Sequence, residues 1–299
     1  MTQKISVVMP VYNGENFLND AIESILNQTF TEFEFIIVND GSIDRSLEII
    51  ESYSKNDNRI VVISRYENMG LLYSLNEALD RAKGEFIARM DADDISLPTR
   101  LEKQLLYLEQ NELDICGCHY YLINDRGDYI DAALVPVVGE SFPVYLSYTT
   151  PFAHGAVMFR SSLLAEEIKY GCRGYKSAED YALWSELYAR NYAFGNVNEF
   201  LFLYRDISSS LSKVNSKSVK KDAIRISKKN LQKYEKDIYF RIRSLERRCF
   251  SKREEEIISI CLLRLAFYIG KFSALLKLRS ISKRAVVIGT MRFLIESIR

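Results

Sequence analysis

The stretch ISVVMPVYNGENFLNDAIESILNQTFTEFEFIIVND, residues 5–40, combines two short apolar runs with a segment of helical period. The first run, residues 5–9, predicts a buried strand that ends at Pro10, and residues 33–40 predict a second strand. Between them, apolar residues recur at the spacing of an amphipathic helix over residues 16–28. A strand, a helix and a second strand in this order form the repeating unit of a parallel sheet.

The same alternation continues toward the C-terminus. The sequence predicts helices over residues 42–56 and 71–83 and strands over residues 59–64 and 85–90. These strands are largely apolar, as expected for parallel strands that are buried on both faces. We therefore expect an α/β fold, in which a Rossmann-like, mostly parallel sheet is flanked by helices.

Three polar segments follow the predicted strands at their carboxyl ends, namely residues 10–15, 39–42 and 91–94. Ligands of open α/β sheets bind outside these strand ends, so we expect the three segments to lie close together. The sequence has neither the glycine-rich dinucleotide fingerprint nor a P-loop. Phosphate groups would need another neutralising partner, and a divalent metal is the simplest one.

The triplet Asp91, Asp93 and Asp94 places three carboxylates within four positions. Carboxylates this close repel one another unless a positive charge lies among them. Mg²⁺ and Mn²⁺ prefer oxygen ligands and are usually shared between one or two carboxylates and substrate phosphates. We expect Asp93 to bind the metal, Asp91 to bind a ribose hydroxyl or the metal, and Asp94 to cap the next helix or support the site. The alternative is a solvated acidic loop.

Two further segments at this edge are candidates for binding a nucleotide base. Asp40, in the turn Asp40-Gly41-Ser42, can accept a hydrogen bond from a base N–H. The alternative is turn formation combined with capping of the next helix. The backbone of residues 10–13 and the ring of Tyr12 can bracket a base, or they can form a plain strand-ending loop.

Taken in order, three segments strongly resemble the family 2 glycosyltransferases with the GT-A fold: ISVVMPVYNGENFLNDAIESILNQTFTEFEFIIVNDGS, NMGLLYSLNEAL and AKGEFIARMDADDISLPTRLEKQ. The resemblance covers about residues 4–210. It implies transfer of a sugar from a nucleotide-sugar donor with inversion at the anomeric carbon. It also implies a divalent metal, Mn²⁺ or Mg²⁺, that bridges the donor diphosphate.

The resemblance also implies roles for individual residues. Asp40 matches the base-binding aspartate, and Asp91 and Asp93 match the D-x-D motif. Glu179 and Asp180 match the "ED" pair, whose second residue is the usual catalytic base. Inversion in one step needs a base on the acceptor side to take the hydroxyl proton, so we expect Asp180 to be catalytic. The alternative is stabilisation of a helix N-terminus, worth about 0.3–1 kcal/mol.

The expected contacts of the nucleotide-sugar are Pro10, Val11, Tyr12, Asn13, Glu15, Asp40, Asp91, Ala92 and Asp93. One departure from the family pattern concerns the phosphates. Many relatives carry an Ala-Arg-Asn run where this chain has Ser74-Leu75-Asn76. Arg65, Arg89 or Arg100 can take the place of the missing arginine, or the metal can suffice.

Three residues are candidates for acceptor binding: His154, Glu179 and Trp184. His154 could also bind the metal, although a lone histidine is more often structural. Trp184 lies four residues after Asp180 and can offer an aromatic face to a sugar, but a core tryptophan on an amphipathic helix is an equal alternative. The pair Cys116 and Cys118 lacks zinc-site spacing and is expected in the core of a strand.

The net charge of zero conceals a division along the chain. Residues 213–299 hold 23 Lys and Arg against 8 Asp and Glu, so residues 1–212 carry the opposite excess. We expect a catalytic domain over residues 1–212, with a nucleotide-sugar half over about 1–110 and an acceptor half over about 111–212. Residues 213–299 are expected to form a basic helical extension.

The basic extension lacks the features of a nucleic-acid-binding fold, so we expect no nucleic-acid partner. Clustered Lys and Arg beside an amphipathic helix favour contact with an anionic membrane surface. The alternative is a solvated appendage that packs on the catalytic domain or on a second subunit. No run of about 18 apolar residues is present, and MTQKISVVMP does not read as a signal peptide.

Together these features predict a metal-dependent inverting glycosyltransferase that moves a hexose, with galactose favoured, from a UDP-sugar to a glycan hydroxyl. We expect a lipid-diphosphate-linked acceptor in bacterial surface polysaccharide or O-antigen synthesis. The five cysteines fit a reducing compartment, so the protein is expected in the cytoplasm, on the inner face of the cytoplasmic membrane. The alternatives are a sugar nucleotidyltransferase and a non-catalytic nucleotide- or sugar-binding module.

Overall fold

The computed structural model describes residues 3–137, 139–166, 169–171, 174–175, 177–207, 216–244, 252–271, 274–275, 277 and 283–298. It divides the chain into two compact units. The first comprises Met1–Val137 and Phe152–Val214, and the second comprises Val138–Pro151 and Asn215–Arg299. Segment 138–151 therefore belongs to the same unit as the C-terminal helices.

The strands are β1 (Ile5–Val11), β2 (Phe33–Asp40), β3 (Ile60–Arg65), β4 (Phe86–Arg89), β5 (Ile95–Ser96), β6 (Ile115–Ile123), β7 (Tyr129–Ala133), β8 (Met158–Arg160) and β9 (Phe194–Arg205). The helices are α1 (Leu18–Leu26), α2 (Ser46–Asn56), α3 (Leu71–Arg81), α4 (Arg100–Gln110), α5 (Phe142–Leu146), α6 (Glu179–Ala189), α7 (Ser216–Lys233), α8 (Glu235–Ser244), α9 (Lys252–Ile269) and α10 (Lys283–Ile298). The C-terminal part is helical, as the sequence predicts.

The strands of the described residues form one mixed sheet in the order β3-β2-β1-β4-β8-β6-β9-β5, with β7 paired to β6. The four N-terminal strands in the order β3-β2-β1-β4 are parallel. β8 then runs antiparallel to both β4 and β6, while β6 and β9 are parallel. The predicted α/β fold with a mostly parallel sheet flanked by helices is confirmed.

The prediction that the first strand ends at Pro10 is wrong, because β1 continues to Val11 with Pro10 opposite Val38 of β2. The Val8 carbonyl accepts a bond from the Met90 N–H on the β4 side of β1. In a strand, the N–H and C=O groups of one residue point to the same side, and so do those of the residue two positions further on. The nitrogen of Pro10 therefore faces β4, like the carbonyl of Val8. Since the β1–β4 pairing ends at Val8 and Arg89, the missing N–H of proline costs no ladder bond there.

The core of the first unit lies between the sheet and its helices. β1 and β2 are buried along their whole length, and α1 buries Leu18, Ala21, Ile22 and Ile25, the spacing of one helix face. Cys116 and Cys118 of β6 are buried in the same core, which confirms the expectation for this pair. His119 is also buried, with Nε2 2.9 Å from Asn198 Oδ1, while its Nδ1 accepts from the Val135 N–H.

The second unit packs α5 with the C-terminal helices around an apolar core. This core comprises Val144, Tyr145, Leu231, Ile238, Ile257, Ile258, Cys261, Leu262, Leu265, Ala274 and Ala285. Polar contacts cross it as well: Ser227 donates to the Ser147 carbonyl, and Arg264 Nη1 donates to Ser227 Oγ at 2.7 Å. Among the helices of the described residues, we find none with the length and apolar content to cross a membrane.

Candidate active site

β4 carries the acidic triplet to the carboxyl-end edge of the sheet, as the sequence predicts. Arg89, the last residue of β4, is only 2% exposed and forms an ion pair with Asp91. The stretch that supplies the carboxylates therefore also supplies a buried positive charge among them. Burial lowers the pKa of the Arg89 guanidinium, and the charges of Asp94, Asp93 and Asp180 act in the opposite direction.

The three aspartates form a compact set of oxygen ligands, with one atom from each lying within 4.8 Å of the others. Asp94 is 1% exposed, and its Oδ1 accepts a bond from the Arg205 N–H at 2.7 Å. Its Oδ2 is buried without a hydrogen-bond partner among the described residues. Burial and then the Asp93 charge raise the pKa of Asp94 to about 8, and burial raises the pKa of Asp93. An unsatisfied buried oxygen beside two further carboxylates fits the oxygen ligation of a hard divalent cation.

Gly155 packs closely against these carboxylates. A Cβ atom at this position would lie 2.8 Å from Asp94 Oδ2, 2.9 Å from Phe202 Cζ and 3.0 Å from Asp91 Oδ2. Each of these separations is shorter than a normal van der Waals contact. Gly155 therefore packs directly against two of the three carboxylates, at a position where a side chain would not fit without a shift of its neighbours.

Arg205, the last residue of β9, fixes the acidic loop from across the sheet. It is 3% exposed, and its Nε donates to the Asp93 carbonyl at 2.7 Å. Its Nη1 donates to the carbonyls of Asn124 and Asp125 in the turn between β6 and β7. A further pairing joins its Nη2 to Asp20 at 3.4 Å. One guanidinium thus contacts the acidic loop, a hairpin turn and helix α1.

Asp40 lies at the carboxyl end of β2, close to the segment that enters α3. Its Oδ1 and Oδ2 accept hydrogen bonds from the N–H groups of Met69 and Gly70, each at 2.8 Å. Arg65 Nη2 lies 3.3 Å from Asp40 Oδ1. Each carboxylate oxygen has more than one acceptor site, so these contacts leave capacity for a base N–H.

The loop after β1 is joined to the loop after β2. Asn13 adopts a positive φ of 52°, and its Oδ1 accepts a bond from the Ile43 N–H at 2.9 Å. Glu15 N–H donates to Asp44, and Arg45 N–H donates back to Glu15 Oε2. Pro10 and Val11 are buried within β1, whereas Tyr12 is 50% exposed at the rim. The predicted nucleotide segments after β1 and β2 are therefore neighbours.

The three arginines considered for phosphate binding have different surroundings. Arg100 is fully buried, where its Nη2 donates to the Arg89 carbonyl at 2.7 Å and its Nε to Gln104. Arg89 is engaged with Asp91, and Arg65 donates to Ser74 Oγ at 2.6 Å. Arg65 retains a 16% exposed side chain, which makes it the most accessible of the three.

α6 presents the predicted "ED" pair in its first turn. Burial raises the pKa of Asp180, whose Oδ1 accepts from the Tyr181 N–H at 2.7 Å. Burial and then the Asp180 charge raise the pKa of Glu179 to about 7. Arg89 acts on both carboxyl groups, lowering their pKa. The charge of Arg89 therefore couples the "ED" pair to the acidic triplet.

An aromatic group lies beside this site. His154 Nε2 is 2.9 Å from the Tyr170 hydroxyl, and burial places the pKa of His154 well below its usual value, so the ring is neutral. His154 is not part of the aspartate cluster found among the described residues. Trp184 is 1% exposed and packs edge-on against Phe152, so this arrangement offers an acceptor no open indole face.

Three residues of the candidate site were missed in whole or in part by the sequence-based prediction. Arg89 was considered only as a phosphate ligand, and neither Arg205 nor Tyr170 was singled out. A charged residue inside an otherwise apolar strand is a usable signal for Arg89. The contacts of Arg205 and Tyr170 join residues far apart in the chain, and local patterns do not encode such pairs.

Comparisons with known proteins identify the class. The profile described as "Glycosyl transferase family 2" matches residues 6–165. The chain is 35% identical over 223 residues to the O-antigen biosynthesis glycosyltransferase WbnJ of Escherichia coli, covering 74% of this chain and 83% of WbnJ. It is 34% identical over 218 residues to the putative glycosyltransferase EpsE of Bacillus subtilis, covering 70% of this chain and 76% of EpsE.

Two solved structures share the fold. S. aureus TarS 1–349 in complex with UDP-GlcNAc is 19% identical with a TM-score of 0.61, covering 95% of this chain and 83% of that chain. The mannosyltransferase PcManGT from Pyrobaculum calidifontis, in complex with GDP-Man and Mn²⁺, is 13% identical with a TM-score of 0.56, covering 97% of this chain and 87% of that chain.

The chain belongs to glycosyl transferase family 2, and the protein is a glycosyltransferase with a GT-A-like fold. By sequence it is similar to the O-antigen biosynthesis glycosyltransferase WbnJ and to the putative glycosyltransferase EpsE.

Proposed function

We propose that the protein transfers a hexose from a UDP-sugar to a hydroxyl group of a glycan acceptor, with inversion and with a divalent metal. The clustered oxygens of Asp91, Asp93 and Asp94 at the sheet edge carry this proposal. Two proteins of similar fold support it, since TarS binds UDP-GlcNAc and PcManGT binds GDP-Man with Mn²⁺.

Asp93 is the proposed principal ligand of Mn²⁺ or Mg²⁺. Asp91 forms an ion pair with Arg89, so we assign Asp91 to the donor ribose or to a second metal contact. The buried Oδ2 of Asp94 supports the same site. When bound, the metal would neutralise charge on the donor diphosphate and on the leaving UDP.

The nucleoside is proposed to lie between the loops after β1 and β2. Asp40 would accept a bond from the base, with the exposed ring of Tyr12 beside it. The remaining contacts would come from Pro10, Val11, Asn13, Glu15 and Ala92. Arg65, which is paired with Asp40 and partly exposed, is the proposed replacement for the arginine that many relatives carry near Leu75.

Asp180 is the proposed catalytic base. In a one-step inversion, the acceptor oxygen forms a bond to the anomeric carbon as the bond from that carbon to the diphosphate oxygen breaks. The electron pair of the broken bond leaves with UDP, and the acceptor hydroxyl proton passes to the Asp180 carboxylate. The raised pKa of Asp180, caused by burial, makes its carboxylate a stronger base than an exposed one.

The acceptor is proposed to be a lipid-diphosphate-linked glycan, with His154 and Glu179 near its hydroxyl groups. The similarity to the O-antigen biosynthesis glycosyltransferase WbnJ favours O-antigen or another surface polysaccharide. Galactose remains the favoured sugar, and the inner face of the cytoplasmic membrane the favoured location.

A donor screen tests this function directly. The protein is incubated with Mn²⁺, a lipid-diphosphate monosaccharide acceptor and, in turn, each UDP-hexose or GDP-mannose. The masses of the products are measured by mass spectrometry. We expect a mass gain of one hexose from a UDP-sugar only, lost when the metal is chelated. Transfer from GDP-mannose alone, or transfer that survives chelation, would contradict the proposal.

A further inference from the structure

The helix α7 of the second unit carries a cationic face. It holds seven Lys and Arg residues and a single acid, Asp222. Its buried side consists of Ile226, Ser227, Asn230 and Leu231. Exposed cations lie on the opposite side with spacings of four, four and three, which is one stripe of an α-helix. We call this set, Lys217, Lys221, Arg225 and Lys228, the cationic stripe.

An exposed aromatic ring is continuous with the cationic stripe. Lys228 Nζ lies 4.9 Å from the centroid of the Tyr268 ring on α9. The rings of Tyr268 and Phe293 are 5.4 Å apart, and Phe293 stacks on Phe267 at 5.6 Å. Phe267 is 56% exposed. Positive charge and accessible apolar surface therefore meet on one part of this unit.

Two carboxylates of this unit are already paired with bases. Glu235 lies 3.6 Å from Lys271, and Glu256 lies 3.3 Å from Arg292. Residues 213–299 hold 23 bases against 8 acids, so the unit as a whole has a large positive excess. An anionic ligand therefore complements this surface, and a ligand that also has an apolar region complements the exposed ring of Phe267.

We propose that the cationic stripe and Phe267 form a peripheral membrane-binding surface for anionic phospholipids. Lys and Arg are attracted to a surface of acidic headgroups, and an aromatic ring suits the boundary between headgroups and acyl chains. This inference deepens the proposed function, because a lipid-linked acceptor would be met at that surface. A nucleic acid would also neutralise the positive charge, but its backbone would not account for the exposed Phe267 ring next to the cationic stripe.

Vesicle sedimentation of the full chain tests the surface. We expect binding to phosphatidylglycerol-rich vesicles, little binding to pure phosphatidylcholine vesicles, and weakening at high salt. The combined variant Lys217→Gln, Lys221→Gln, Arg225→Gln and Lys228→Gln should lose at least about tenfold in binding. A control with the same charge change at exposed sites of the first unit, Lys55→Gln, Arg81→Gln, Lys83→Gln and Arg126→Gln, should bind nearly as the parent does.

A spectroscopic variant locates the contact. Trp184, the only tryptophan of the chain, is buried, so Phe267→Trp adds one exposed indole. We expect its emission to shift to the blue with anionic vesicles and to be quenched by brominated lipid. Equal binding of the stripe and control variants would overturn the proposal, as would an added indole that stays unquenched on bound vesicles. Preference for a short RNA over vesicles at the same salt would also overturn it.

These measurements use no sugar donor, so they stand apart from the proposed function. Vesicle binding without any hexose transfer would leave the surface intact and defeat the transferase assignment of donor and acceptor. Hexose transfer to a detergent-dispersed acceptor without vesicle binding would support the transferase assignment and contradict the membrane-binding surface. The stripe variant should keep that detergent-phase transfer, because its four positions lie in the second unit and outside the proposed active site.

Discussion

The buried Arg89 forms an ion pair with the partly exposed Asp91, two positions on in the chain, at the end of β4. The pair places a positive charge beside the carboxylates of Asp93 and Asp94, whose mutual repulsion would otherwise destabilise the loop. The same charge acts on Asp180, so it contributes to both the acidic triplet and the "ED" pair. The repulsion among the three aspartates is thus partly compensated within the chain, before any metal binds.

The first prediction concerns this pair. Arg89→Met should lower the free energy of unfolding by about 2 to 4 kcal/mol, because it leaves an uncompensated carboxylate in a largely buried site. The double variant with Asp91→Asn should cost less than the sum of the two single variants. Urea denaturation at neutral pH measures all three, with the exposed Arg126→Met as control. Strict additivity would show that the two side chains do not interact.

The second prediction concerns the space beside the triplet. Gly155→Ala should weaken Mn²⁺-dependent UDP binding by about tenfold or more, since the added methyl group meets carboxylate oxygens of Asp91 and Asp94. The same overpacking should cost about 1–3 kcal/mol of stability. Gly139→Ala is a matched control, because a Cβ there meets nothing within 4 Å. Unchanged affinity in Gly155→Ala would separate this glycine from the ligand site.

The third prediction is a pH dependence of stability. The pKa of Glu179 is raised to about 7 by burial and by Asp180, whereas an unfolded glutamate titrates near 4.5. The folded state therefore binds the extra proton, and this contribution is fully present below the unfolded pKa and lost as pH rises through the folded pKa.

Relative to Glu179→Gln, the parent protein should therefore lose stability by up to about 3 kcal/mol between pH ~4.5 and ~7. Urea denaturation of both proteins across this range measures the difference, with Glu186→Gln on the same helix as control. A parent protein that gains stability over the range, relative to Glu179→Gln, would have the wrong sign for a raised pKa.

The fourth prediction separates donor binding from transfer. Asp180→Asn keeps the shape of the side chain but removes the carboxylate base, so kcat should fall by about a hundredfold or more. The dissociation constant for UDP with Mn²⁺ should change by no more than about twofold, because the proposed donor site does not use Asp180. Glu186→Gln, from the far end of α6, should keep normal turnover. Near-normal turnover of Asp180→Asn would place the base elsewhere.

The alternation of strands and helices in the N-terminal part and the acidic triplet were predictable because both depend on local patterns. Apolar runs bounded by turn residues specify strands, and a parallel sheet brings their carboxyl ends together. Even there, β1 was predicted too short, because whether the missing N–H of Pro10 costs a ladder bond depends on where β4 stops pairing.

The remaining parts of the site depend on contacts between distant residues. Arg205 reaches Asp93 and Asp94 across more than a hundred positions, and Tyr170 meets His154 through a hydrogen bond. For Trp184 the sequence allows two interpretations, an aromatic face for a sugar or a tryptophan of the core. Its 1% exposure favours the core reading, and this follows from packing by Phe152 and Tyr170 rather than from the helix itself.

The most direct test of the account is isothermal calorimetry of UDP with and without Mn²⁺. We expect UDP binding that requires the metal, that is abolished in Asp93→Ala, and that persists in Asp125→Ala, a change at an exposed acid outside the triplet. Metal-dependent binding lost only in Asp93→Ala would place the cation at the end of β4. UDP binding that ignores Mn²⁺, or that is unchanged in Asp93→Ala, would contradict the central claim.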